Sequence, residues 1–198
     1  MFGLAVLVVM GLYLLISIVA VRAAVIHARK QGRRAWVWGL VTAVVMYNLV
    51  FWDWIPTVAT HQYYCATEAG FWTYKTVDQW KQENPGVMET LTTQRIWPSE
   101  HVGDMKNYIS TDSINHRFNY VFQKAGPFFL NRWRHEQALV DSKAGFVLAR
   151  QVDFSTGNGN VGGEIELRFW LHSDGCASGR DQAIAFVRFL EQFKGVEK

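Results

Sequence analysis

The chain has 198 residues, 49% of them hydrophobic and 19% charged, and a formal net charge of +3. Its charge is unevenly placed: residues 1–54 carry only Arg22, Arg29, Lys30, Arg33, Arg34 and Asp53, and the other 144 residues are net −1. A basic balance drawn from one short segment excludes a nucleic-acid-binding face, and 15% aromatic residues exclude a disordered chain.

The first predicted element is the uncharged run 2–21, FGLAVLVVMGLYLLISIVAV. As a helix it extends about 30 Å, the thickness of a bilayer hydrocarbon core. A second uncharged run, AWVWGLVTAVVMYNLVFW, starts at Ala35, and the span is expected to close at residue 54. Neither run has the polar stripe of a soluble helical hairpin; only Ser17, Thr42 and Asn48 interrupt them. Trp36 and Trp38 open the second run and Trp52 and Trp54 close it, which suits two membrane–water interfaces. Asn48 is expected to bond across to the first helix or to a partner.

Between the runs, RAAVIHARKQGRR holds Arg22, Arg29, Lys30, Arg33 and Arg34 and no acid. The positive-inside bias puts loop 22–34 in the cytoplasm and both chain ends on the far, periplasmic side. A cleaved signal peptide is disfavoured, because no basic residue precedes the first run and no small-residue cleavage site follows it. The expectation is a two-pass inner-membrane anchor over 1–54 and an extracytoplasmic α+β domain over 55–198. Cys65 and Cys176 are the two cysteines, both on the translocated side, and are expected to form a disulfide.

Within the domain, Gly70–Lys75 reads as a short strand. Thr76 and Gln79 read as a capping box opening the helix VDQWKQE, with a second short helix from Asn84-Pro85 to Leu91. Antiparallel strands are predicted over 117–123, 128–140 and 146–154, with turns at Gly126-Pro127 and Asp141–Lys143. A further strand is predicted over 164–171, where apolar and charged residues alternate. A final helix opens on a Ser178/Asp181 capping box, presents Ala183, Ile184, Phe186, Val187, Leu190 and Phe193, and stops at Gly195. The fold class is therefore an antiparallel sheet with a C-terminal packing helix, behind a transmembrane hairpin.

Motifs that carry chemistry are weak. Gly157–Gly163 has the glycine spacing of a dinucleotide loop but precedes a strand pattern, so it reads as a hairpin loop. The histidines lack helical zinc spacing and no CxxC exists, so no metal and no cofactor are expected. An enzymatic site would draw on His135, Glu136, His172 and Asp174. Ser173, His172 and Asp174 make a poor triad, because adjacent strand residues face opposite ways. Aromatics crowd 51–80, and Arg132 and Arg134 are placed to stack on such rings. The expected role is a non-enzymatic accessory, inhibitory or exclusion-type factor, bound to the lipid bilayer and to a membrane or periplasmic protein partner. The alternatives are a small subunit of a transport or secretion complex, and an extracytoplasmic hydrolase.

Overall fold

The computed structural model describes residues 2–92, 96–104, 106–157 and 168–195. The chain divides into two compact units, Met1–Ile55 and Pro56–Lys198.

In the first unit, α1 (Phe2–Lys30) and α2 (Ala35–Phe51) run antiparallel. α1 is long and apolar enough to cross a membrane, as a retained span or a signal sequence would be. It does not stop at Val21. Arg22 lies within it, since arginine is a good helix former, and Arg29 and Lys30 lie in its last turn, where their charge complements the helix C-terminus. The expected 13-residue basic loop thus shrinks to Gln31–Arg34, and only Arg33 and Arg34 lie in it. Gly39 lets the helices approach closely, because a Cβ there would meet Val25 Cγ2 at 2.8 Å. The Tyr13 hydroxyl donates to the Met46 carbonyl. Asn48 does not bond across as expected: its amide donates to Val44 O of its own helix. Ser17 and Thr42 likewise satisfy themselves on carbonyls one turn back. α2 also ends earlier than expected, at Phe51, since the chain turns at Trp52-Asp53 before α3 (Trp54–Thr67) begins.

The second unit is built on a six-stranded antiparallel sheet of order β1-β6-β5-β4-β3-β2. The strands are β1 (Gly70–Thr73), β2 (Ile96–Gly103), β3 (Asn107–Ser113), β4 (Phe118–Phe128), β5 (Arg132–Asp141) and β6 (Phe146–Thr156). β2 to β6 form a meander, and β1 returns to pair with β6. The strand at Gly70 and the helix α4 (Val77–Glu83) appear where the sequence puts them, and the Thr76–Gln79 capping box closes in both directions. Other elements differ. The segment after Pro85 forms a turn and a 3-10 turn, Met88–Thr90, not a second α-helix. Gly126-Pro127 lies inside β4, and the reversal falls later, at Phe129–Asn131. Phe169–Leu171 is a 3-10 turn, which ends the strand expected over 164–171; residues 164–167 and the glycine run 158–163 lie outside the described residues.

α5 (Gly179–Glu191) packs on β6 and β1. Phe186, Phe189 and Phe193 join Trp80, Leu91, Phe118, Leu139, Leu148 and Ala149 in the main core, where rings meet mostly edge to face. Ile184 and Val187, expected on that face, remain 43% and 48% exposed. The Ser178/Asp181 capping box is also absent: Ser178 makes no side-chain cap, and its hydroxyl accepts from Gln182 Nε2 instead. The carboxylate of Asp153 from β6 instead holds the approach to the helix, accepting from Cys176 N at 3.0 Å. Gly179 opens the helix against that carboxylate, where a Cβ would lie 2.6 Å from Asp153 Oδ2.

Candidate functional site

Residues directly opposite in an antiparallel sheet share a face, which sorts the candidates before any contact is measured. His135 lies opposite Asp153, and Glu136 lies opposite Val152, so His135 and Glu136 project from opposite faces.

On the face that α5 covers, His135 Nε2 and Ser155 Oγ share a 2.8 Å hydrogen bond across the β5–β6 diagonal. Burial pushes the His135 imidazole below its ordinary pKa and the nearby Lys124 ammonium pushes the same way, while Asp153 pulls weakly against both. The neutral ring beside a hydroxyl is a nucleophile–base pair in composition. Ser155 is nonetheless only 9% exposed, and Asp153 Oδ1 is occupied by the N–H groups of Phe154 and Cys176.

On the opposite face, Glu136 bridges two guanidinium groups, with Arg134 Nη2 at 2.9 Å and Arg150 Nε at 2.8 Å. Trp72 stands opposite Arg150 on the same face, 40% exposed. With Glu68 and Tyr74 these arginines line a shallow hollow of about 250 Å³. The same face continues through Val121, Ile109 and Val102 to the far edge strand.

His172 and Asp174 pair with each other at 2.7 Å and are strongly exposed. The four residues named from sequence are thus distributed over two sheet faces and a surface loop, and they do not assemble into one enzymatic centre. Ser155, the hydroxyl that does meet His135, was not singled out by sequence; the signal for it was the two-residue diagonal, visible only once the β5–β6 register is known.

The two cysteines do come together. Cys65 of α3 and Cys176 form a disulfide across 111 residues, with Cα atoms 5.5 Å apart. Around it, Val152, Phe154, Tyr64 and Ala69 form a second, smaller core. His61, one turn before Cys65, donates from Nε2 to Phe154 O at 3.0 Å and lies 3.5 Å from the Cys65 sulfur. His61, Cys65 and Cys176 have the proximity of a metal ligand set, but both sulfurs are bonded to each other and offer no thiolate. Such a disulfide points to an oxidising compartment.

The remaining aromatics do not form one surface. Trp80 is core, Phe71 packs on Phe186, and Tyr64 lies under the Arg132 guanidinium at 3.3 Å, whereas Trp72, Tyr74 and Tyr63 are exposed. Arg134, expected to stack likewise, pairs with Glu136. In the first unit, Trp36, Trp38, Trp52 and Trp54 are all exposed, between 42% and 69%. Compared with protein-family models, curated proteins and solved structures, the chain finds no match among any of the three.

Proposed function

We propose that this protein is a membrane-anchored, extracytoplasmic interaction module. In this reading α1 and α2 cross the cytoplasmic membrane as a two-pass hairpin, the Arg29–Arg34 turn lies in the cytoplasm, and the sheet domain stands on the periplasmic side. Support for the hairpin comes from the close approach at Gly39 and from polar side chains that satisfy themselves within the helices, as a hydrocarbon setting requires. α2, at 17 residues or about 25 Å, is at the short end of the spanning range, with exposed tryptophans at both ends.

The observation that carries the functional reading is the sheet face turned away from α5. Its accessible residues combine an aromatic ring, Trp72, with the Arg134–Glu136–Arg150 cluster and a run of aliphatic side chains. Aromatic and arginine side chains are the groups that dominate protein interfaces. Anchoring raises the local concentration of such a face toward membrane partners, so a modest contact suffices. The role is that of an accessory, inhibitory or exclusion-type factor.

The test is photo-crosslinking in intact cells, with a benzophenone amino acid at Trp72 and, as comparison, at Ile184 on the outer side of α5. The reading expects a discrete protein adduct from position 72 that is absent at 184. Equal smears from both positions, or no adduct from either, would remove it. A second reading, an extracytoplasmic hydrolase, rests on the His135–Ser155 pair. It requires that an active-site serine probe label Ser155 and that Ser155→Ala abolish the labelling.

A further inference from the structure

The β4–β5 connection carries a feature that the interaction face does not use. Pro127, Phe128 and Phe129 are consecutive and exposed, with Phe128 at 44% and Phe129 at 81%. Reversals between antiparallel strands are ordinarily built from glycine, asparagine, aspartate and serine. Here two phenyl rings are held out, and the backbone holding them is strained: Leu130 has φ 61° and ψ 38°, and Asn131 has φ 54°. Asparagine tolerates the left-handed region, but a leucine there is costly. The base of the tip is pinned. Gly126 N–H donates to Lys106 O at 2.8 Å, and Gly157 N–H donates to Asn131 O at 3.0 Å. Gly126 itself sits where a side chain would strike Arg132 O at 2.8 Å. An apolar projection kept rigid against a backbone penalty marks an interaction site more strongly than exposure alone.

Two observations identify what it meets. The first is where the chain enters the domain. Arg132, the first residue of β5, stacks on Tyr64 of α3, and His61 of α3 bonds to Phe154 near the end of β6. α3 then proceeds to Ala69 beside Val152, so its N-terminal half lies toward the end of the sheet that bears the tip. Pro56, where the domain begins, is eight residues before Tyr64, about 12 Å of helix. Within the sheet domain, the His61–Tyr64 part of α3 therefore lies toward the tip's end of the sheet. The second observation is charge. Exposed Lys106 lies at the base of the tip, with Lys124 over the Trp133 ring and Arg132 over Tyr64 and Phe128 nearby, and Asp104 is the one carboxylate in the adjoining β2–β3 turn. Aromatic rings flanked by cations match the interface of an anionic bilayer, where rings settle at headgroup depth and lysine or arginine meets phosphate.

We propose that the Pro127–Leu130 tip inserts Phe128 and Phe129 into the headgroup region of an anionic phospholipid bilayer, a second attachment that fixes the domain's orientation on the membrane. The inference rests on the membrane-anchored reading above. It leaves the Trp72–Arg134–Arg150 part of the face away from α5, beyond the area that α3 covers, accessible to a protein partner.

The test uses the full-length protein, disulfide intact, in vesicles of phosphatidylcholine and phosphatidylglycerol. An environment-sensitive nitrobenzoxadiazole label is placed singly through Phe129→Cys, Val9→Cys in α1, or Ala144→Cys in the β5–β6 turn at the other end of the sheet. Lipids with a nitroxide on the upper acyl chain report contact with the bilayer. The expected result is quenching at 129 and at 9 and none at 144. Quenching at 9 without quenching at 129 would overturn the tip while leaving the anchor in place. Absence of quenching at 9 would overturn the anchor separately, and quenching at 129 would then still establish lipid contact for the tip. A blue-shifted label at 129 that nitroxide lipids do not quench would assign the tip to protein and contradict the proposal. Phe129 is exposed, so the variant removes no core contact, and unchanged near-ultraviolet circular dichroism checks the fold.

Discussion

Asp141 shows how much one buried carboxylate organises. It is 2% exposed, accepts from Trp80 Nε1 at 3.0 Å and from Arg117 Nη2 at 2.9 Å, and takes the N–H groups of Lys143 and Ala144 in the turn that follows. Burial alone would raise its pKa, but the bonds from Trp80, Arg117 and Ala144 outweigh it and hold the group below the ordinary carboxylate value. A depressed pKa means the folded state binds its proton less readily than the unfolded chain does. The stabilisation is therefore complete above the unfolded value near pH 4 and is lost as pH falls through the folded one. Asp141→Ala leaves Arg117 buried without its counter-charge and is expected to cost about 3–5 kcal/mol in urea unfolding. His135 runs on the same sign at a higher pH. Its imidazole is held neutral, so stability should decline as pH falls below about 6.5, where the unfolded chain protonates first. Measured between pH 7.5 and 5, that decline should be shallower in His135→Gln. At this scale the sequence was partly legible. The Thr76 box was readable because both partners lie within four residues, whereas the Asp153–Cys176 bond before α5 and the Asp141–Trp80–Arg117 cluster join residues far apart in sequence.

Among elements, the Cys65–Cys176 bridge makes the clearest demand. It closes a loop of 111 residues between α3 and the approach to α5. Chain entropy alone gives about 4–5 kcal/mol for a loop of that length. Cys65→Ser or chemical reduction should lower the melting temperature and leave both partners of α3, Phe154 and Arg132, more open to solvent. Amide exchange in α3 should then rise well before exchange in β4 and β5; uniform exchange across the sheet would contradict this order. The bridge was legible because two cysteines in one segment of the chain have only each other to pair with. α3 itself was not. Pro56 is tolerated in a first helical turn, and WIPTVATHQYYC lacks a clear apolar stripe because its buried side serves the disulfide and Tyr64 rather than a continuous core. β2 and β3 were hidden for a related reason: they form the outer edge of the sheet, and residues such as Asn107, Ser110, Thr111 and Asp112 leave little apolar alternation to read. The last three residues of the strand expected over 164–171 differ in the opposite direction, since Phe-Trp-Leu suits a strand locally but forms a 3-10 turn whose Leu171 carbonyl accepts from Thr156 Oγ1.

The whole molecule joins one apolar unit to one disulfide-closed sheet domain, whose sheet is covered by α5 on one face and, over Val152 and Phe154, by α3 on the other, leaving the Trp72–Arg150 part of that second face accessible. Uncharged length made the apolar helix α1 readable, because twenty residues without a charge suit a helix and little else. The accessible face was not readable, because it depends on strand register and on which side α5 chooses. The proposed role requires one premise, that the sheet domain lies outside the cytoplasm while α1 and α2 hold it at the membrane. Paired fusions at Lys198, alkaline phosphatase in one and green fluorescent protein in the other, test that premise most directly. The account predicts an active phosphatase and a dark fluorescent fusion, both in the membrane fraction. A fluorescent fusion with an inactive phosphatase would contradict it.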